Sequence, residues 1–194
     1  MVCLRLGDYN GAVKFYGRVL ERKPANFEAR LGMGKALLQR FAAQPLDTLS
    51  WSSAVMNLEA AGTLNSSEEI QQLLSQIWAE RAHFLLRHTD TLLALEALTR
   101  AIEYDPFSAE PLNIAGIIYF RMGRIGKARA LLAKAAQIDS ANSSALFNLG
   151  MIAWFENDIK TAHKEWYRAL RSSPDDEDIL YWFARAEKRL REQQ

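Results

Sequence analysis

Cysteine is nearly absent: Cys3 is the only one in 194 residues. An internal disulfide framework is therefore excluded and a thiolate metal site is not expected; Cys3 reads as a small buried residue or a free thiol. Histidine is almost as scarce. His83 and His88 are five residues apart, an interval that does not bring two side chains onto one helix face, and His163 stands far along the chain. No charge sign dominates, with 24 Lys and Arg against 23 Asp and Glu. That balance argues against nucleic acid as the main partner, because phosphate binding rests on clustered positive charge. No apolar run approaches the ~18 residues of a membrane span, and residues 1–7 lack the regions of a signal peptide. The segment reads as soluble, inserting no part of itself into a membrane, and cytoplasmic by default. Alternating strand patterns are missing, and with them any Gly-rich phosphate loop between strand and helix. No Ser or Cys has an evident base and orienting group, so neither an enzyme nor a cofactor is expected. What remains is ordinary globular composition, 49% hydrophobic and 24% charged, which speaks against disorder.

Alanine is abundant, and it keeps time. Ala94, Ala128 and Ala162 stand 34 residues apart, as do Ala101, Ala135 and Ala169. Gly116 and Gly150 hold the same interval, preceded by Ala82 and followed by Ala184; so do Pro106, Ser140 and Pro174. Several independent columns in one register define a repeat. Within residues 143–156, Leu146, Leu149, Ala153 and Phe147, Met151, Trp154 recur every three or four positions, as do Ala162, Trp166 and Ala169 within residues 158–171. Each unit is thus a helical hairpin, parted at Asn157-Asp158 and stopped at Pro174. Small residues at Gly150, Ala153, Ala162 and Ala169 let the two backbones approach, and bulky Leu149 and Trp166 fill the gaps. One hairpin cannot bury both faces, so hairpins must stack.

These columns resemble the tetratricopeptide repeat (TPR) family. Leu146, Leu149-Gly150, Ala153, Asn157, Ile159, Ala162, Trp166, Ala169 and Pro174 follow its pattern, as do Leu112, Ala115-Gly116, Tyr119, Gly123, Ile125, Ala128, Leu132, Ala135 and Ser140. Earlier units carry Trp78, Ala82, Leu85, Thr89, Ala94, Leu98, Ala101 and Pro106, and Gly7, Tyr9, Ala12, Tyr16, Val19 and Pro24. The resemblance implies an all-α fold, a right-handed superhelical solenoid of about five hairpins spanning residues 1–194 as a single domain. Its repeats are 1–26 (truncated), 27–68 (with an insertion), 69–108 (with an extended first helix), 109–142 and 143–176, closed by a capping helix at 177–192.

Two stretches break the period. Ala12 to Ala54 is eight residues too long, and the surplus falls in residues 41–49, where Gln44-Pro45 breaks a helix. Ala54 to Ala94 is six too long; here Ser66 and Glu69 read as a capping box that starts a helix about two turns longer than its siblings. Each surplus is a loop expansion or a binding feature. Asn65-Ser66-Ser67 and Asn142-Ser143-Ser144 match a glycosylation pattern but serve as helix starts. In repeat register Met1 falls inside a first helix, which reads as truncated, with upstream targeting sequence missing. At the other end Asp175 to Asp178 suit a helix start, and the basic end around Lys188, Arg189 and Arg191 reads as a solvated face.

In the TPR family the first helix of each hairpin lines a concave groove. Carried onto this chain, groove positions are Ala79, His83, Leu86 and Arg87; Asn113, Ile117, Phe120 and Arg121; Phe147, Met151, Trp154 and Phe155; and Tyr181, Arg185 and Lys188. The helix at 143–156 is apolar on nearly every side, so Phe147, Met151 and Trp154 either pack on neighbouring repeats or form an open patch. The implied function is a scaffold or adaptor that binds an extended or amphipathic helical segment of a partner, with apolar anchors and acidic character. The alternative is an assembly or oligomerisation module of a longer membrane-anchored or multidomain protein, forming a homo-oligomer. One TPR subgroup holds acidic chaperone tails in a clamp of Lys, Asn and Arg. Asn148 fills one clamp column, but Asp178, Trp182, Ala79 and Ile114 stand where the cations belong, so no co-chaperone role is implied.

Overall fold

The structure, a computed structural model, describes residues 8–44 and 47–193. Cys3, Gly7, Pro45 and the truncated opening helix lie outside the described residues. Ten α-helices and no strand occur among those described: α1 Tyr9–Arg22, α2 Phe27–Ala43, α3 Thr48–Leu64, α4 Glu68–Arg87, α5 Thr91–Tyr104, α6 Ala109–Arg121, α7 Ile125–Ile138, α8 Ser143–Phe155, α9 Ile159–Ser172 and α10 Glu177–Arg191.

Helix starts follow local chemistry. Asp8, Asn26, Asp47, Asp90, Asn142, Asp158 and Asp176 each accept a hydrogen bond from the backbone N–H three residues on, occupying one of the orphan donors of a helix start. The turn inside a hairpin is set by backbone shape. Thr89, Gly123 and Asn157, again 34 residues apart, all have left-handed φ near +64° to +71°. Glycine and asparagine tolerate that region, whereas β-branched Thr89 is strained in it.

One expected cap is wrong. α4 is capped by Ser67, extended at φ −140°, whose hydroxyl accepts from the Ile70 N–H at 3.4 Å; it is not capped by Ser66. Shifting the start by one residue removes Glu69 from the capping-box position, and its carboxylate pairs instead with Lys35 of α2. The surplus segments are also largely helical rather than expanded loops. α2 and α3 have 17 residues each and α4 has 20, against 13 in α6 and α8. α2 does stop at Ala43, with Gln44 as its C-cap.

The chain forms two compact units, residues 1–106 and 107–194. In the first, Leu37, Leu38, Phe41, Leu58, Ile70 and Ile77 form the centre of a core between α2, α3 and α4. Asp47 closes one end of it. Its carboxylate accepts from the Ser50 hydroxyl and N–H and pairs with Arg40 at 3.1 Å. The Ser50 hydroxyl foremost, helped by that N–H and by Arg40 and opposed by burial, holds the Asp47 carboxyl below the usual carboxylate range. A lowered folded-state pKa contributes stability that is present above the unfolded value and lost as pH falls through the folded one. Asp47→Ala is therefore expected to cost about 1 kcal/mol at neutral pH, and thermal melts should show the gap to wild type closing in acid.

In the second unit the small-residue columns do what their spacing predicts. Ala128, Ala135, Ala162 and Ala169 are fully buried. A Cβ on Gly116 would stand 2.7 Å from Leu132, and one on Gly150 2.4 Å from Trp166, so neither position has room for a side chain. Trp166 also donates its indole N–H to the Phe147 carbonyl at 3.1 Å, tying α9 to α8.

Candidate partner-binding surface

The expected groove residues lie on the first helices of successive hairpins and fall in both units. Four are on α4 of the first unit: Ala79, which is buried and so not open to a groove, half-buried His83 and Leu86, and exposed Arg87. The remaining eleven are on α6, α8 and α10 of the second.

On α6, Asn113 donates to Ser144 of α8 at 3.2 Å, while its carbonyl oxygen is buried without a partner. Ile117 is half-buried, Arg121 is exposed, and Phe120 lies 6.0 Å from Phe155 of α8, ring centre to ring centre. Phe147, Met151 and Trp154 on α8 are half-buried. Phe147 packs 6.4 Å from Trp166, and Trp154 sits 5.9 Å from Trp166 and 5.6 Å from Trp182, edge-on to the latter. Part of this stripe thus packs on its neighbours. Phe155, 69% exposed, and Tyr181, 56% exposed, are the aromatics that stay open. Trp182 joins the cluster to Tyr181 at 5.6 Å.

Two cations cover this aromatic surface. The Arg185 guanidinium lies 5.0 Å over Trp182 and 5.6 Å over both Trp154 and Tyr181, and it donates to the Tyr181 hydroxyl at 3.1 Å. Arg189 lies 5.2 Å over Trp154 and donates to Asn157 at 2.9 Å. Stacking on π-faces fixes both groups without neutralising them. Neither forms a salt bridge among the described residues. Lys188, exposed, is 3.9 Å from Glu192. The result is a pre-ordered patch of aromatic edges and uncompensated positive charge, suited to an apolar anchor beside a carboxylate.

Sequence reasoning missed Trp182 and Arg189 as parts of this patch. The signal for Arg189 was available: it completes a column with Arg87, Arg121 and Phe155 at the 34-residue interval. Trp182 had no such signal, because its column carries Ile114 and Asn148. Asn148 itself donates to the Ser144 carbonyl of its own helix at 2.8 Å. A separate cavity of 430 Å³ between α7 and α9 is lined by Arg129, Glu165 and Arg168. Its cations are already paired, Arg129 with Glu156 and Arg168 with Glu165.

The tetratricopeptide repeat family model matches residues 80–144 and 116–177, and a second model of the same description matches residues 1–26. No curated protein matches the sequence. Among solved structures, MamA is similar with a TM-score of 0.56 at 22% identity, over 89% of this chain and 92% of that one. YrrB, described as a TPR protein with an unusual peptide-binding site, gives 0.58 at 18% identity, over 93% and 86%. The first TPR of Spaghetti, solved with an HSP90 peptide, gives 0.57 at 15% identity, over 61% and 97%. At these identities the likeness is one of fold. Repeats of this type form a protein-interaction fold that is typically non-enzymatic.

Proposed function

Because the chain belongs to the tetratricopeptide repeat family, we propose that it is a scaffold that holds a partner protein on the face formed by α6, α8 and α10. The observation that carries this reading is the patch in which exposed Phe155 and Tyr181 flank two stacked, uncompensated arginines. Interfaces concentrate their energy in a few aromatic and Arg anchors, and these residue types in this packing meet that description. The partner is an extended or amphipathic helical segment with a large apolar side chain and neighbouring carboxylates. Ile117, Phe120 and Arg121 continue the surface along α6. Arg87, in the same column on α4, is the point to test in the first unit.

Trp154 and Met151 are poor targets for a test, since both are half-buried and their loss would disturb packing. Phe155→Glu combined with Tyr181→Glu changes only exposed side chains. The double variant is expected to lose partner capture by about tenfold or more, read by affinity capture with quantitative mass spectrometry against wild type, while circular dichroism stays helical. Capture that survives the double change would place the binding surface elsewhere.

A further inference from the structure

A guanidinium carries five N–H donors in one plane, has no acceptor, and stays protonated in proteins. When its face rests on an aromatic ring, the ring fixes that plane and leaves the donors at its edge free. Trp154 holds both Arg185 and Arg189 in this way, at 5.6 Å and 5.2 Å from its ring centre. The two arginines stand four residues apart on α10, so they share one side of the helix. Each donates to one neutral oxygen, Arg185 to the Tyr181 hydroxyl and Arg189 to the Asn157 side chain. Most of each fork is left over.

The neighbouring carboxylates do not answer this charge. Glu156 pairs with Arg129, and Glu192 lies 3.9 Å from Lys188. Glu187, two residues from each arginine, faces another side of the helix. Two full positive charges therefore stand on one ring with no counter-charge among the described residues. Like charges one turn apart repel, and a single carboxylate offsets only half of the pair. A phosphate monoester carries about −1.5 to −2 charges at neutral pH and presents three acceptor oxygens. It matches the pair in charge, and its oxygens suit two planar forks.

Taking this face as the partner-holding surface, on which the inference rests, we propose that Arg185 and Arg189 receive a phosphorylated side chain of the partner segment. Capture is then switched on by phosphorylation of the partner. The phosphate spans the two guanidinium edges, and an apolar side chain beside it lies on Phe155 and Tyr181, which are 69% and 56% exposed. Glutamate in the same place supplies about half the charge and two of the three oxygens, and unmodified serine supplies no charge. Binding follows that order: phosphoserine first, glutamate second, serine last.

Three peptide libraries passed over the immobilised full chain test this. Each is degenerate on both sides of one fixed position, which is phosphoserine, glutamate or serine. The phosphoserine library is expected to be retained about tenfold or more above the glutamate library. Arg185→Gln and Arg189→Gln should each bring the two to parity. Arg185→Lys with Arg189→Lys should do the same, because it keeps both charges but loses the planar forks. Circular dichroism of each variant checks that the helices persist. Four results overturn the proposal: glutamate retained as well as phosphoserine, a phosphoserine preference that survives both glutamine changes, no library retained, or phosphatidic acid vesicles bound in place of phosphopeptide. None of them decides the partner-holding reading, which stands or falls on capture by the chain carrying Phe155→Glu and Tyr181→Glu.

Discussion

Trp166→Ala is expected to destabilise the second unit by about 3–5 kcal/mol, a large share of the 5–15 kcal/mol typical of a folded domain. The indole is fully buried. It lies on the bare backbone of Gly150, donates to the Phe147 carbonyl, and touches the rings of Phe147, Trp154 and Trp182. Truncation leaves a cavity that the glycine opposite cannot collapse into. Trp166→Leu should cost much less, because Leu132 fills the same column over Gly116 one repeat earlier. Repeat arrays are stabilised by nearest-neighbour contacts, so the loss should be local. Hydrogen exchange should accelerate across α8, α9 and α10 while α2, α3 and α4 keep their protection, and the denaturation midpoint should fall. A cost below 1 kcal/mol would mean that the indole is not what holds α8 to α9.

Phe41→Ala should cost a similar amount, about 3–5 kcal/mol, in the first unit. Phe41 is 0% exposed in the last turn of α2, and its ring is 6.4 Å from that of Phe84 on α4. Around it are Leu37, Leu38, Leu74 and Ile77. The outcome separates two accounts of residues 41–49, which exceed the repeat period. Were they an expanded surface loop, the substitution would fall within about 0.5 kcal/mol of neutral. The core position of Phe41 instead makes the surplus structural: it lengthens α2 and α3 and brings an extra aromatic between them and α4. Urea midpoints of Phe41→Ala and of Ala42→Ser, an exposed neighbour, would distinguish these outcomes directly.

The repeat, its hairpins and its small-residue columns were determined by the sequence itself. The reason is physical: each column marks one contact made again in every unit. Gly150 under Trp166 and Gly116 under Leu132 are the same close approach, written twice at a fixed interval. The helix start at Asn142 was equally legible, since a cap bonds only three residues away. The Ser66 reading failed at that scale because two adjacent serines offer alternative starts, and only the backbone, extended at Ser67, decides between them.

The candidate surface was only half legible. That Phe147, Met151, Trp154 and Tyr181 share one stripe follows from helical spacing. Which of them stay open does not, because α8 is apolar on nearly every side and its own pattern cannot say which side a neighbour covers. Packing decided it. Trp166 and Trp182 take up Phe147 and Trp154, Phe155 and Tyr181 stay exposed, and Arg185, expected at the groove, and Arg189, which sequence alone presents as part of a solvated helix end, lie across the rings. Exposure belongs to a residue's surroundings, and only tertiary structure brings those together.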